Sequence, residues 1–333
     1  MKAFLLAVLA SSACLLASVT KADPIYRVTA VKAPIGEDIR VTSINNRGHI
    51  AGVFRGTAGE SHVFLYRNGA INDLGVVAGE VRYVAVNELD DVVGTGANAF
   101  LWRNGQFKDL TPLGIATARD INNRGQIVGR TTDGYAYRYS RGEVERFGLP
   151  GDWSESWAIN DRGQITGTMN RSDDTAMHAF LYDQGTVQEI GPPYDSYATT
   201  INERAQVGFV YYDDFYGSVA IYHRGVTSPR IWSASEPTSI NIRGDLVGQG
   251  FRTFFPDPAG AALLYKDGVR YWLQMQIDPA DPLAGKVYFS SADGINDRGQ
   301  IIVNGVKGGF DDAPEPGWFF ILNPVPQAPA PQS

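Results

Sequence analysis

The chain has 333 residues, with 36 acidic against 29 basic side chains, a net charge of −7 and a single cysteine. That charge balance disfavours polyanions and argues against nucleic acid as a partner. One cysteine, Cys14, cannot form a disulfide framework.

The chain opens MKAFLLAVLASSACLLASVTKADP, with Lys2 followed by an apolar run and small residues, Thr20 and Ala22, ahead of Asp23. Residues 1–22 therefore read as a secretory signal peptide. Cys14 lies inside it, so the mature chain has no thiol; lipid attachment at Ser11-Ser12-Ala13-Cys14 stays open as an alternative. Without the leader the chain has 27 basic and 36 acidic residues, a net −9. No later apolar run approaches the ~18 residues a spanning helix needs. The expectation is a secreted protein, extracellular or periplasmic, with no membrane span.

A β-branched residue followed by Asn then recurs seven times, at Ile44-Asn45, Val86-Asn87, Ile121-Asn122, Ile159-Asn160, Ile201-Asn202, Ile240-Asn241 and Ile295-Asn296. The spacings are 42, 35, 38, 42, 39 and 55 residues, a period that belongs to a propeller or a solenoid. Within each period the contents favour the propeller. Three residues after the Asn stands Gly in five copies, with Asp90 and Ala205 as exceptions, where a tight hairpin needs positive φ. A short apolar strand follows, such as Gln126-Ile127-Val128-Gly129. Next comes a strand with an aromatic three residues before another Gly, as in HVFLYRNG and NAFLWRNG, and then a fourth strand. Four short strands per ~40 residues make a propeller blade. The seventh copy ends at Trp318 to Pro324 without a fourth strand, while Tyr26 to Val31 belongs to no copy. The expected fold is therefore all-β, a seven-bladed β-propeller of four-stranded antiparallel blades over residues 23–323, closed by the N-terminal strand completing the last blade. Residues 324–333 form a Pro-rich, disordered tail.

The words Ile-Asn-Asp-Arg-Gly-Gln-Ile and His178-Ala179-Phe180-Leu181-Tyr182, with Asp-Leu-Gly closing the unit, resemble the HAF-repeat family of extracellular repeat proteins. The resemblance covers residues 24 to 323 and implies a secreted repeat fold. It brings no catalytic residues with it. Some members end in a sorting tail; the Pro-rich end here lacks an apolar span, which implies release.

A residue present in all seven blades serves the blade, so the seven Asn are expected to be structural. The arginines that follow them, Arg47, Arg124, Arg162, Arg204, Arg243 and Arg298, form a ring of turn residues, either solvated or anion-binding. His62 and His178 share one repeat position and are expected to pack or hydrogen-bond at a strand start. No pair of histidines has metal-ligand spacing, and there is no Gly-x-Ser-x-Gly elbow, phosphate loop or EF-hand loop. No cofactor is expected; calcium on the Asp pairs is the alternative.

Function is expected where the copies differ. Strand alternation puts the short NDRG and RNG turns on one rim and the variable loops on the other. The candidate binding residues on the variable rim are Trp153, Trp157, Tyr211, Tyr212, Asp213, Asp214, Phe215, Phe254, Phe255 and Asp257, joined by the insertion Asp278 to Ser291. Aromatic rings and carboxylates suit a glycan or a protein ligand. The leading expectation is a non-enzymatic binding module with its ligand on that rim or over the axial channel. The alternatives are a carbohydrate-active hydrolase or lyase using Asp213, Asp214 or Asp257 as acid and base, and a structural envelope or matrix protein.

Overall fold

The computed structural model describes residues 23–34, 38–147, 153–171, 175–213, 217–233, 236–250, 261–308 and 314–326. Residues 1–22, expected as a leader, fall outside them, as do Asp214, Phe215, Phe254, Phe255 and Asp257 among the expected site residues. The described residues form seven antiparallel sheets, arranged as a seven-bladed β-propeller. Blade 1 consists of strands Ile39–Ile44, Ile50–Arg55, Ser61–Arg67 and Ala70–Val77. Blades 2 to 6 repeat that order over residues 84–109, 115–147, 154–189, 196–233 and 237–272. Helical structure among the described residues is limited to two 3-10 turns, Thr111–Leu113 and Leu273–Gln276.

Blade 7 takes three strands from residues 287–324 and its outer strand, Tyr26–Lys32, from the N-terminus. Tyr26 pairs with Pro324 and Lys32 with Trp318 across an unbroken register. The pairing runs on past the strand end, where the amide of Val325 donates to the carbonyl of Ile25 at 2.8 Å. The ring is thus latched as the leftover strand implied, with the N-terminal strand covering the outer side of strand Glu315–Pro324.

Blade conformation follows the turn residues. Six outer hairpins use a pair with positive φ, such as Asn68 at 53° with Gly69 at 79°, the twist-matched type I′ geometry. In the Asn turns, Asp90 and Ala205 stand where the other copies have Gly and still adopt φ of 65° and 57°. The hydrogen-bonding pattern therefore imposes the left-handed conformation even without Gly. Blade 5 departs at its outer edge, where Pro229 lacks an N–H and splits the strand into Val226–Thr227 and Trp232–Ser233.

The apolar core is divided into seven clusters, one at each contact between neighbouring blades. Val128 and Ala136 of blade 3, for instance, meet Ile159, Ile165 and Phe180 of blade 4. The β-branched residue before each Asn enters one of these seams, which explains why it recurs.

Candidate functional site

The Asn residues close a ring around the axis. Each Nδ2 donates to the backbone carbonyl of the next blade's Asn, from Asn45 to Asn87 at 2.9 Å through to Asn296 back to Asn45 at 3.1 Å. Each Oδ1 accepts two amides of its own turn, as Asn160 does from Arg162 at 3.1 Å and Gln164 at 3.0 Å. All seven side chains are buried.

Outside this ring runs a second belt formed by the residues after each Asn. The amide of Asn46 donates to Glu88, that of Glu88 to Asn123, of Asn123 to Asp161, and of Asp161 to Glu203. The belt resumes from Ile242 to Asp297 and from Asp297 to Asn46, so it is interrupted only where Ile242 offers no acceptor to Glu203. These residues surround a cavity of about 190 Å³ at the short-turn end of the axis. Burial, and then repulsion from Asp161 and Asp297, pushes the Glu203 carboxyl upward. Several arginines cross to the next blade, with Arg47 donating to the Glu88 carbonyl at 3.0 Å and Arg243 to that of Asp297 at 2.5 Å. Arg162 makes the same bond to Glu203. Guanidinium groups committed to carbonyls in this way serve the ring as clasps. Among the described residues no group of three or more His, Cys, Asp or Glu could hold a metal ion.

The histidines at the start of the third strands behave as expected. His62 pairs with Asp73 at 2.9 Å and stacks on Phe54, and His178 lies 3.7 Å from Glu189.

The first strand of most blades carries a β-bulge three residues before the Asn, inside the strand. The bulge drives a backbone carbonyl against the neighbouring second strand. A Cβ on Gly167 would lie 2.1 Å from the Glu155 carbonyl oxygen, so only Gly fits there. In three blades the bulged residue is Thr, whose hydroxyl reaches the next blade's backbone: Thr42 to Val84 at 2.6 Å, Thr199 to Pro237 at 2.5 Å, and Thr238 to Ala292 at 2.6 Å. In blades 3, 4 and 7 the bulge instead holds Arg119, Trp157 and Asp293. Where the repeat needs a clamp it uses Thr, so these three replacements mark a departure from the scaffold.

Two of these departures, Arg119 and Trp157, meet. The Arg119 guanidinium lies 4.2 Å over the Trp157 ring. Its Nε donates at 2.8 Å to Glu155, a carboxylate only 4% exposed that also accepts the Thr117 hydroxyl at 2.8 Å. Tyr83 shares this space and is 38% exposed; the protein packed around its hydroxyl raises its phenol, followed by the charges of Asp120 (raising), Arg119 (lowering) and Asp293 (raising). Burial likewise pushes Asp120 up to about 6, although it accepts the amides of Ile121 at 2.8 Å and Ile159 at 2.9 Å. Asp293 is also raised by burial and is held by Asn304 at 2.7 Å. A cavity of about 230 Å³ opens here, lined by Glu80, Arg82, Tyr83, Thr95, Thr117 and Arg119 among others.

The described members of the expected site divide between two blades. Trp153 and Trp157 belong to blade 4, and each ring is faced by an arginine of blade 3, Trp153 by Arg130 at 5.9 Å. Tyr211, Tyr212 and Asp213 lie together at the end of the second strand of blade 5. Tyr212 is 41% exposed and packs edge-on to Tyr197 at 6.0 Å, near the charges of Asp195 and Glu236. Asp213 accepts the Ser218 hydroxyl at 2.8 Å and Arg230 at 3.3 Å, so its carboxylate is already committed.

The insertion, expected on the binding face, also buttresses the latch strand. Asp281 accepts the Val28 amide at 2.8 Å, and the Asp278 amide donates to the Tyr26 carbonyl at 2.8 Å. Tyr26 itself is buried against Leu273 and Ile277. Residues 287–291 of the insertion extend the first strand of blade 7. Arg119, Asp293 and Tyr83 were missed because no motif joins them; comparing the position three before each Asn, Thr42, Val84, Arg119, Trp157, Thr199, Thr238 and Asp293, would have found the first two.

A ring of seven blades around a polar axis, with irregular side chains gathered on one rim, defines the β-propeller class. The β-propeller domain of the trilobed protease from Pyrococcus furiosus, described as having an open velcro topology, is similar over 89% of this chain and all of its own, with 13% identity and a TM-score of 0.54. Unlike that description, the present ring is latched. Acylaminoacyl peptidase from Pyrococcus horikoshii matches over 82% of this chain and 50% of its own, with 12% identity and a TM-score of 0.53. At such identities the likeness shows the fold alone. No family model and no curated protein matches the sequence.

Proposed function

We propose that the protein is a secreted, non-enzymatic binding module of the HAF-repeat kind, with its glycan or protein ligand on the variable rim beside the axis. The observation that carries this is the replacement of the Thr clamp by Arg119, Trp157 and Asp293 in three blades, with Arg119 lining a 230 Å³ cavity. A scaffold position gives up its scaffold residue where something else is to be met. Exposed Tyr194 and Tyr212, at 48% and 41%, extend the same rim with flat apolar surface. Binding is favoured over hydrolysis because Asp213, the described member of the acid–base set, is tied to Arg230 and Ser218. Asp120, despite its raised carboxyl, spends both oxygens on backbone amides.

Thermal unfolding of residues 23–333 against polysaccharides and peptidoglycan fragments tests the proposal. A ligand at a hundredfold excess over its dissociation constant stabilises the folded state by about 2.7 kcal/mol. A raised midpoint that Trp157→Ala or Tyr212→Ala removes is the expected result. No shift with any member of the panel would count against a glycan ligand and move the role to a protein partner or to the matrix.

A further inference from the structure

We infer that the cavity between blades 2 and 3 binds the carboxylate of a uronic-acid unit in an acidic glycan. The inference rests on the binding role proposed above and names its ligand class.

Arg119 is a fixed cation in the lining of this cavity. Its Nε is fixed by Glu155, its face is laid on Trp157, and its two terminal nitrogens donate no hydrogen bond to a described residue. Glu155 is in turn fixed by Thr117, on the strand that also bears Arg119. A guanidinium held this way loses little freedom on binding, and its planar fork matches a carboxylate. Stacking on indole keeps it in place when the carboxylate is absent. Arg82, a second guanidinium of the same cavity, is exposed and engages only Glu80, at 3.1 Å. Arg82 and Arg119 are each paired on one side with a carboxylate, Glu80 and Glu155, and each keeps nitrogens that donate to no described residue.

The rest of the lining favours a sugar acid over a plain anion. The Tyr83 hydroxyl makes no hydrogen bond to a described residue, and Glu80 presents acceptor oxygens beside Arg82. A uronate offers one carboxylate for the guanidinium groups and several hydroxyls for Tyr83 and Glu80. About 230 Å³ takes one such ring, which leaves the neighbouring sugars of a chain to cross the rim.

The test is calorimetric titration of the mature chain with galacturonate and glucuronate oligomers, the same oligomers methyl-esterified, neutral galactose oligomers and tetraglutamate. The acid oligomers should bind, and the esters should bind at least tenfold more weakly. Arg119→Gln should lose at least tenfold and Arg119→Lys should recover only part of it. Lys108→Gln, which removes one positive charge from the outer strand of blade 2, should leave affinity unchanged. Circular dichroism melts of each variant separate lost binding from lost fold, and Arg82→Gln gives an independent reading of the cavity should Arg119→Gln unfold. Equal binding of acid and ester, or of neutral oligomers, would overturn the uronate assignment while leaving the binding role intact. Preference for tetraglutamate would make the ligand an acidic peptide and overturn it too. Binding of nothing in the set would overturn the uronate site and weaken the binding role with it.

Discussion

Replacing Asn160 by Ala removes one link of the axial ring. The side chain is 3% exposed and makes four hydrogen bonds: to the Asn202 carbonyl at 3.0 Å, to Gln164 Oε1 at 2.8 Å, and from the amides of Arg162 and Gln164. At about 1 kcal/mol net each, the loss is about 4 kcal/mol, and stranding two amides and a carbonyl in a buried turn acts in the same direction. Asn160→Asp keeps both acceptors but loses both donors and turns a charge toward the Asn202 carbonyl. It should cost a similar amount at neutral pH and less at low pH. Urea denaturation of the mature chain, followed by intrinsic fluorescence, measures both. A loss below about 1 kcal/mol for Asn160→Ala would refute the argument that the ring of seven Asn holds the blades in place.

Asp120 gives a pH prediction. Its carboxyl is raised to about 6 by burial, against 3.8 when unperturbed, so the folded state holds the proton more tightly than the unfolded chain. Its contribution therefore favours folding below about pH 4 and is lost as pH rises toward 6, by at most about 3 kcal/mol. Asp120→Asn should flatten the dependence between pH 4.5 and 7.5, although its NH2 cannot replace the oxygen that accepts one of the two amides; an unchanged slope would contradict this. Ile242→Asn would give the Glu203 amide its missing acceptor and close the second belt, raising stability by about 1 kcal/mol in the same denaturation assay. Val31→Pro, in the latch strand opposite Phe319, removes a ladder donor and should lower stability by about 3 kcal/mol, with aggregation on heating as the exposed edge finds other chains.

The blades were legible because propeller geometry is written in short words. Asn followed three residues on by Gly fixes one hairpin, Asn68-Gly69 and its equivalents fix the other, and the orphan strand at Tyr26 accounts for closure. The site was less legible. Trp157 stood out by its type, but Arg119 and Asp293 hold their places through bulges, which shift register by one residue and leave no mark in a motif. Aromatic and acidic composition also pointed to the insertion after Trp272, which spends Asp278 and Asp281 on the latch. Loop composition cannot separate a carboxylate that meets a ligand from one that meets a backbone amide, because both need the same residue in the same kind of loop. Asp213 is the same case, visible in sequence and committed in structure to Arg230.

The central claim is that one rim holds the ring together and the other meets the ligand. Hydrogen–deuterium exchange with and without a bound glycan from the panel tests it most directly. Slowed exchange confined to segments 80–83, 117–119 and 153–157 is the predicted result. Slowed exchange at the Asn turns, around 45–48 and 160–163, with the variable rim unchanged, would contradict it.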